Sequence, residues 1–188
     1  RNIYYIYESG EKKKNGIYVL FAIIGVAVLV GLDQWTKSLA VRHLAGQESI
    51  TLIPGVFQLQ YLENRGAAFG LLQNQIWLFV ILTAIFLAAA VWVYIRLPKI
   101  KRYMPLHITA VVLVSGALGN LIDRIRLGYV VDFFYFSLID FPIFNVADIY
   151  VVLSFVSLMI CILFVYREED FSFQSRRGQE DADETDKL

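Results

Sequence analysis

Charged residues and cysteine are scarce in this chain of 188 residues. Asp, Glu, Lys and Arg make up 18% of it, against roughly 25% in soluble domains, so it lacks the groups that cover a water-facing surface. The 17 Lys and Arg residues equal the 17 Asp and Glu residues in number, so net charge gives no electrostatic basis for binding nucleic acid. A single cysteine, Cys161, excludes an intramolecular disulfide framework and a multi-cysteine metal site.

Long apolar runs are what the sequence has instead: 57% of its residues are hydrophobic and the mean hydropathy is +0.56. Four runs approach the roughly 20 residues that a membrane-spanning helix needs, and they lie at about 17–35, 76–95, 106–124 and 148–166. Small and polar residues interrupt the third run, and such small residues let helices approach closely in lipid. We therefore predict an all-α membrane protein with four transmembrane helices, the third of them central. Three spans with a buried fourth helix are the alternative.

The basic residues predict how the spans are oriented. Twelve of the 17 lie in three segments, namely residues 1–16, 96–105 and 167–188. Because cytoplasmic loops carry an excess of Lys and Arg, we expect these segments, with both termini, to be cytoplasmic. Residues 36–75 and 125–147 are then the outer regions, and residues 17–166 form the membrane domain. The polar, mostly acidic tail 167–188 is predicted to be disordered.

The two outer regions have structure-forming patterns of their own. Residues 50–62 alternate, are rich in β-branched and aromatic residues, and contain the turn signal Pro54-Gly55, so we predict an extracytoplasmic β-hairpin or small sheet. Residues 129–144 are aromatic and apolar but too short to span, so we expect an interfacial outer segment.

Polar side chains at membrane depth are costly and by default indicate a functional site. With the predicted topology, seven of them meet at one level just inside the outer face, from three spans and the interfacial segment. They are Asp33, Asn120, Asp123, Arg124, Asp132, Asn145 and Asp148.

The spacing Asn-x-x-Asp occurs twice, as Asn120 with Asp123 and as Asn145 with Asp148. Residues three apart share a helix face, so each pair offers an amide and a carboxylate to the same place. Structural readings stay open for both: the second pair has the spacing of a capping box, and Asp123 can form a salt bridge with Arg124 or with the nearby Arg126.

Other kinds of catalytic or metal site fit these predicted positions poorly. His107 precedes Asp123 by 16 residues, about 24 Å along a helix, so a Ser-His-Asp arrangement is disfavoured. A structural zinc site is disfavoured because the chain has only two histidines and one cysteine to serve as ligands. Two carboxylates that share a proton can activate water for attack on a peptide carbonyl. An apolar setting strengthens that sharing, and it favours Asp132 with Asp148 over Asp123 with Asp148.

Five ordered motifs resemble those of the bacterial lipoprotein signal peptidase family (signal peptidase II). They are DQWTK at 33–37, ENRGAAFG at 63–70, SGALGNLIDR at 115–124, VVDF at 130–133 and FNVAD at 144–148. The resemblance covers about residues 17–166, and it departs at Ser115, where the family usually has glycine.

The resemblance implies an aspartic endopeptidase of the bacterial cytoplasmic membrane that cuts prolipoproteins before a diacylglyceryl cysteine. Its catalytic pair falls on Asp132 and Asp148. Asn64, Asn120, Arg124 and Asn145 would orient the substrate, Asp33 and Lys37 would support the site, and Asp123 would hold Arg124. It implies no metal or cofactor, inhibition by globomycin-type cyclic peptides, and contact with membrane lipid. We expect a monomer.

Two rival functions use the same residues differently. An ion-coupled transporter would place carboxylates near the midplane of the membrane, whereas here they cluster at one end. A non-enzymatic membrane assembly factor would tolerate replacement of Asp132 and Asp148 by Asn.

Overall fold

A computed structural model describes residues 2–66, 75–167 and 170, with side chains from residue 15 onward. The helices are α1 (Asn2–Leu44), α2 (Ile76–Arg96), α3 (Met104–Leu127) and α4 (Val146–Ile160), and the strands are β1 (Ile50–Ile53), β2 (Phe57–Asn64) and β3 (Val130–Tyr135). A π-helical stretch, Cys161–Val165, prolongs α4. Single 3-10 turns occur at Lys101–Tyr103 and Ser137–Ile139.

All four helices are long and apolar enough to cross a membrane, which confirms the predicted four-span, mostly helical membrane fold. The first helix is longer than predicted, however. Helix α1 does not stop near residue 35 but continues to Leu44. Residues 36–44 are too polar to register as an apolar run, yet Ala40 and Leu44 are buried against the β-sheet, so packing rather than lipid keeps this part helical.

Helix α3 is the central helix, as predicted, because it packs against each of the other three. Two glycines permit this close approach. A Cβ atom at Gly116 would lie 2.5 Å from the carbonyl oxygen of Ala147 in α4, and one at Gly119 would lie 2.5 Å from Asp33 Oδ2 in α1. Neither space holds a methyl group, so the two positions fix the distances among α1, α3 and α4.

The strands form one antiparallel sheet in the order β1-β2-β3. Strands β1 and β2 are the predicted hairpin. The segment 129–144, in which no strand was predicted, begins with β3, which pairs Val130 with Asn64 and Asp132 with Leu62. Val131 and Phe133 are buried against Ala40 and Leu44. Because side chains alternate across a strand, Asp132 faces away from that contact.

We call the end of the bundle that carries the sheet the sheet end, and the opposite end the far end. At the far end, Arg102 donates two hydrogen bonds to the Asp170 carboxylate, at 2.6 and 2.8 Å. Arg167 and Asp170 are the described part of the predicted tail 167–188, and its other residues lie outside the described residues. The start of the tail is therefore tied to the turn before α3.

The close packing at Gly116 gives a stability prediction. Gly116→Ala would force its methyl group against the Ala147 carbonyl and the Val151 side chain, and overpacking of this kind costs about 1–3 kcal/mol. We expect a lower free energy of unfolding in detergent, measured by titration with a denaturing detergent. Gly31→Ala is the matched control, because nothing lies within 4 Å of a Cβ atom there. Equal loss in both variants would contradict the proposed packing.

Candidate active site

A buried lysine organises the polar groups at the sheet end. The Lys37 ammonium lies 3.0 Å from Asp33 Oδ2 and 2.9 Å from Asp123 Oδ2, and it donates to Asn120 Oδ1 at 2.9 Å. Lysine has three N–H donors, and each has one acceptor here. Lys37 is 3% exposed and Asp33 is fully buried, so the ion pairs are shielded from water and each partner depends on the others.

Asp33 and Gln34 extend this cluster to the neighbouring helices. Asp33 Oδ1 accepts a hydrogen bond from the backbone N–H of Ala147 at 3.0 Å, which satisfies a free donor in the first turn of α4. The Gln34 amide donates to the Gly119 carbonyl and to Asp123 Oδ1, at 3.2 and 2.9 Å. Sequence reasoning missed Gln34, although it stands beside Asp33 in the first motif.

Asp123 has different partners from those expected. Its carboxylate contacts Lys37 and Gln34, and it accepts the backbone N–H of Val131 at 3.2 Å. Arg124 and Arg126 are not its ion-pair partners within the described residues. Adjacent helix residues point in different directions, so Asp123 faces α1 and β3 while Arg124 turns towards α2. Asp123 thus ties the sheet to the bundle.

Asp148 and Asn145 form the capping box that the spacing allowed. The Asn145 side chain accepts the backbone N–H of Asp148, and Asp148 Oδ2 accepts the backbone N–H of Asn145, both at 3.1 Å. Each residue also reaches beyond the cap. Asp148 Oδ1 accepts from the Asn120 amide at 2.8 Å, and the Asn145 amide donates to Asp132 Oδ1 at 2.6 Å. The capping box is therefore formed, and the same two side chains also contact Asn120 and Asp132.

Asp132 lies on β3 and is 1% exposed. Its carboxyl accepts the Asn64 amide at 2.8 Å from β2, in addition to the bond from Asn145. Burial, and to a lesser degree the nearby Asp148, raise the pKa of this carboxyl to about 7, although the two amide donors and Lys37 act in the opposite direction. A carboxyl of this kind carries its proton close to neutral pH.

A short chain of amides joins the two carboxyls. The Asn145 amide donates both to Asp132 and to Asn120 Oδ1, the second at 3.1 Å, and the Asn120 amide donates to Asp148. Asp132 and Asp148 are thus held near each other by side chains from α3 and from the start of α4. Two carboxyls joined in this way, one of them with a raised pKa, supply the groups that general acid–base activation of water requires.

Arg124 borders this pair. Its guanidinium lies over the Phe79 ring, 5.0 Å from the centroid, and donates to the Asn120 carbonyl at 3.4 Å. It is close enough to Asp148, Asp132 and Asp123 to interact with their charges. Stacking on Phe79 holds the planar cation in place, and its other N–H groups have no acceptor among the residues that the structure describes.

The sheet end thus brings together every predicted site residue. They are Asp33, Lys37, Asn64, Asn120, Asp123, Arg124, Asp132, Asn145 and Asp148. His107 and Cys161 lie elsewhere: His107 bonds to the Pro98 carbonyl, and Cys161 is buried with Tyr103 and Tyr166. Within the described residues no group of His, Cys, Asp and Glu side chains is arranged to hold a metal ion.

Comparisons with known proteins match nearly the whole of this membrane domain. A family model described as Signal peptidase (SPase) II matches residues 16–164. The lipoprotein signal peptidase of Streptococcus thermophilus (strain CNRZ 1066) is 43% identical over 149 residues, which are 79% of this chain and 94% of that protein. The same enzyme of Streptococcus pyogenes serotype M1 is 39% identical over 79% of this chain and 95% of its own length.

A solved structure described as a bacterial membrane enzyme has a similar fold. The two structures superpose with a TM-score of 0.66 at 32% sequence identity. The match covers 76% of this chain and 87% of the chain in the solved structure. A second structure with the same description covers 78% of this chain and 94% of its own, with the same TM-score and identity.

The Lys37 contacts give a second stability prediction. Lys37→Met leaves two buried carboxylates without their cation, and removing one partner of a buried ion pair costs about 3–5 kcal/mol. We expect that loss in the free energy of unfolding of the detergent-purified protein. Arg65→Met is the matched control, since its salt bridge to Glu63 is exposed, at 48% and 39%, and such pairs contribute less than about 1 kcal/mol. Comparable losses in both variants would contradict the assigned role of Lys37.

Proposed function

Because this chain belongs to the signal peptidase II family, whose members remove signal peptides from lipoprotein precursors, we propose that Asp132 and Asp148 are its catalytic pair. One observation carries the proposal: two carboxyls from different elements are joined through the amides of Asn145 and Asn120. The chain is a membrane peptidase, and this pair makes it an aspartic one.

The surroundings of the two carboxyls suggest a division of roles. The buried Asp132 has a pKa of about 7 and is the protonated member. Asp148 accepts one amide and one backbone N–H at the start of α4, and donors at a helix N-terminus stabilise negative charge. Asp148 is therefore the carboxylate that accepts a proton from water.

The reaction then proceeds with balanced proton transfers. Asp148 takes a proton from water as the water oxygen bonds to the scissile carbonyl carbon, and Asp132 gives its proton to the carbonyl oxygen. When the carbon–nitrogen bond breaks, Asp132 recovers its proton from the tetrahedral intermediate. Asp148 passes its proton to the leaving amine nitrogen, which returns both acids to their starting states.

The remaining residues position the pair and the substrate. Asn64 and Asn145 hold the Asp132 carboxyl, and Asn120 holds Asp148. Arg124, stacked on Phe79, has N–H groups directed to the substrate backbone. Asp33, Lys37 and Asp123 support the site by fixing the helices and β3 around it.

We infer the orientation and the finer substrate from the same architecture. The excess of basic residues in the termini and in the 96–105 loop supports a cytoplasmic far end, with the sheet end outside a bacterial cytoplasmic membrane. A cysteine bearing diacylglycerol would then keep its acyl chains in the lipid while the preceding peptide bond reaches the pair.

Cyclic peptides of the globomycin type would compete with the substrate for the same site. The protein would act as a monomer. Family membership does not favour a transporter or a non-enzymatic assembly factor.

Replacing either acid tests the catalytic pair. Asp132→Asn and Asp148→Asn keep the shape of the side chains but remove general acid–base catalysis, which contributes roughly 10²- to 10⁴-fold. We expect kcat to fall by that factor, measured by cleavage of a diacylglyceryl-modified prolipoprotein.

Asp140→Asn is the matched control for these variants, because Asp140 lies in the exposed turn after β3 and bonds to Tyr135. It should retain activity. Full loss in Asp123→Asn together with normal activity in Asp132→Asn would show that Asp123 belongs to the pair instead.

The raised pKa of Asp132 predicts the alkaline limit of activity. Below about pH 7 this carboxyl is protonated and can donate, and above that pH it loses the proton. We expect kcat/KM to fall about tenfold per pH unit on the alkaline side. The hydrogen bond from Asn64 lowers the pKa of Asp132, so Asn64→Ala should move this limit to higher pH. If the alkaline limit of Asn64→Ala equals that of the unaltered protein, the limit reflects the titration of a group other than Asp132.

A further inference from the structure

An apolar groove lies between α1, α2 and α3, on the half of the bundle away from the proposed pair. Its volume is about 550 Å³. It extends towards the sheet end as far as Val30 and Leu118, which lie just below Asp33 and Gly119. Towards the far end it reaches Val19 and Ile95.

The groove offers its occupant almost no hydrogen-bonding group. The lining side chains are Val, Ala, Ile and Leu, with the single exception of Tyr94. The Tyr94 hydroxyl already donates to the Tyr18 carbonyl at 2.9 Å. A hydrocarbon satisfies such a surface, whereas a polar ligand would lose its hydration without compensation.

The length of the groove suits an acyl chain. From Val19 to Val30 the groove follows α1 for about 16 Å at 1.5 Å per residue, which is close to one leaflet of a hydrocarbon core of ~30 Å. A hydrocarbon tail that enters from one leaflet would therefore fill it from end to end.

A cationic side chain lies beside the mouth at the far end. Arg96 follows Ile95 directly, and its guanidinium lies 4.8 Å from the centroid of the Trp92 ring. Arg96 has no carboxylate partner within the described residues. The sequence before Val19 also contains three lysines, residues 12–14, and two acids, Glu8 and Glu11. Basic residues beside a membrane surface attract anionic headgroups by about 1 kcal/mol each.

We propose that this groove binds an acyl chain of an anionic phospholipid from the leaflet at the far end, with the headgroup beside Arg96. With the orientation proposed above, this is the cytoplasmic leaflet. The lipid completes the packing of α2, which has no buried residue and lies mainly against α3. The site is separate from the proposed catalytic pair.

Lipid retention tests the proposal. The full chain, purified in mild detergent, is titrated with phosphatidylglycerol or with phosphatidylcholine of the same chain length, and bound lipid is counted by native mass spectrometry. We expect phosphatidylglycerol to bind more tightly, and Arg96→Gln to weaken its binding about fivefold, the equivalent of one basic residue at the surface. Ala110→Phe fills the groove and should abolish retention. Ala88→Phe, on an exposed part of α2 outside the groove, should not.

A second measurement uses the unaltered protein, so that a misfolded variant cannot decide the matter. Phosphatidylglycerol with a photoreactive group on its acyl chain should form adducts with the groove segments 19–30 and 110–118. Adducts spread evenly over all the helices would overturn the proposal. Equal retention of the two lipids by the unaltered chain, or equal loss in Ala88→Phe and Ala110→Phe, would also overturn it.

Discussion

The Lys37 ammonium lies at the centre of a polar cluster that joins four elements of this protein, α1, α3, α4 and β3. Its three donors are used by Asp33 in α1 and by Asp123 and Asn120 in α3. Asp33 continues the connection to the first turn of α4, and Asp123 continues it to the backbone of β3. A buried charge is costly unless it is fully paired, so the cation, the two carboxylates and the elements that carry them form one interdependent unit.

The proposed catalytic pair is built from groups that also serve the fold. Asp148 closes the capping box of α4 with one oxygen and accepts the Asn120 amide with the other. Asn145 caps the same helix and also holds Asp132. A capping motif therefore does not exclude a functional role, because one polar atom of each side chain caps the helix while the other contacts a second residue of the site. The cap also fixes the direction in which that second atom points.

The sequence predicted most of the membrane-spanning helices and the meeting of the acids, because both follow from local patterns. Long apolar runs predict spans, and the repeated spacing of Asn and Asp placed amide and carboxylate on one helix face. The extension of α1 to Leu44 was missed because its polar residues give no apolar run. Strand β3 was missed because Val130 to Phe133 are buried on both faces, so the alternation that indicates a strand is absent. The pairing of Asp123 with Lys37 depends on the tertiary arrangement, which no local pattern contains.

The two acids of the proposed pair lie on different elements of the fold. Asp148 lies in the first turn of α4, whereas Asp132 lies on β3, which packs on α1 through Val131 and Phe133. Strand β3 is also hydrogen-bonded to Phe144, the residue directly before the cap of α4. The separation of the carboxyls is therefore set jointly by the packing under the sheet and by this short connection, so a change of side-chain volume at Val131 or Phe133 would reach the pair without altering either acid.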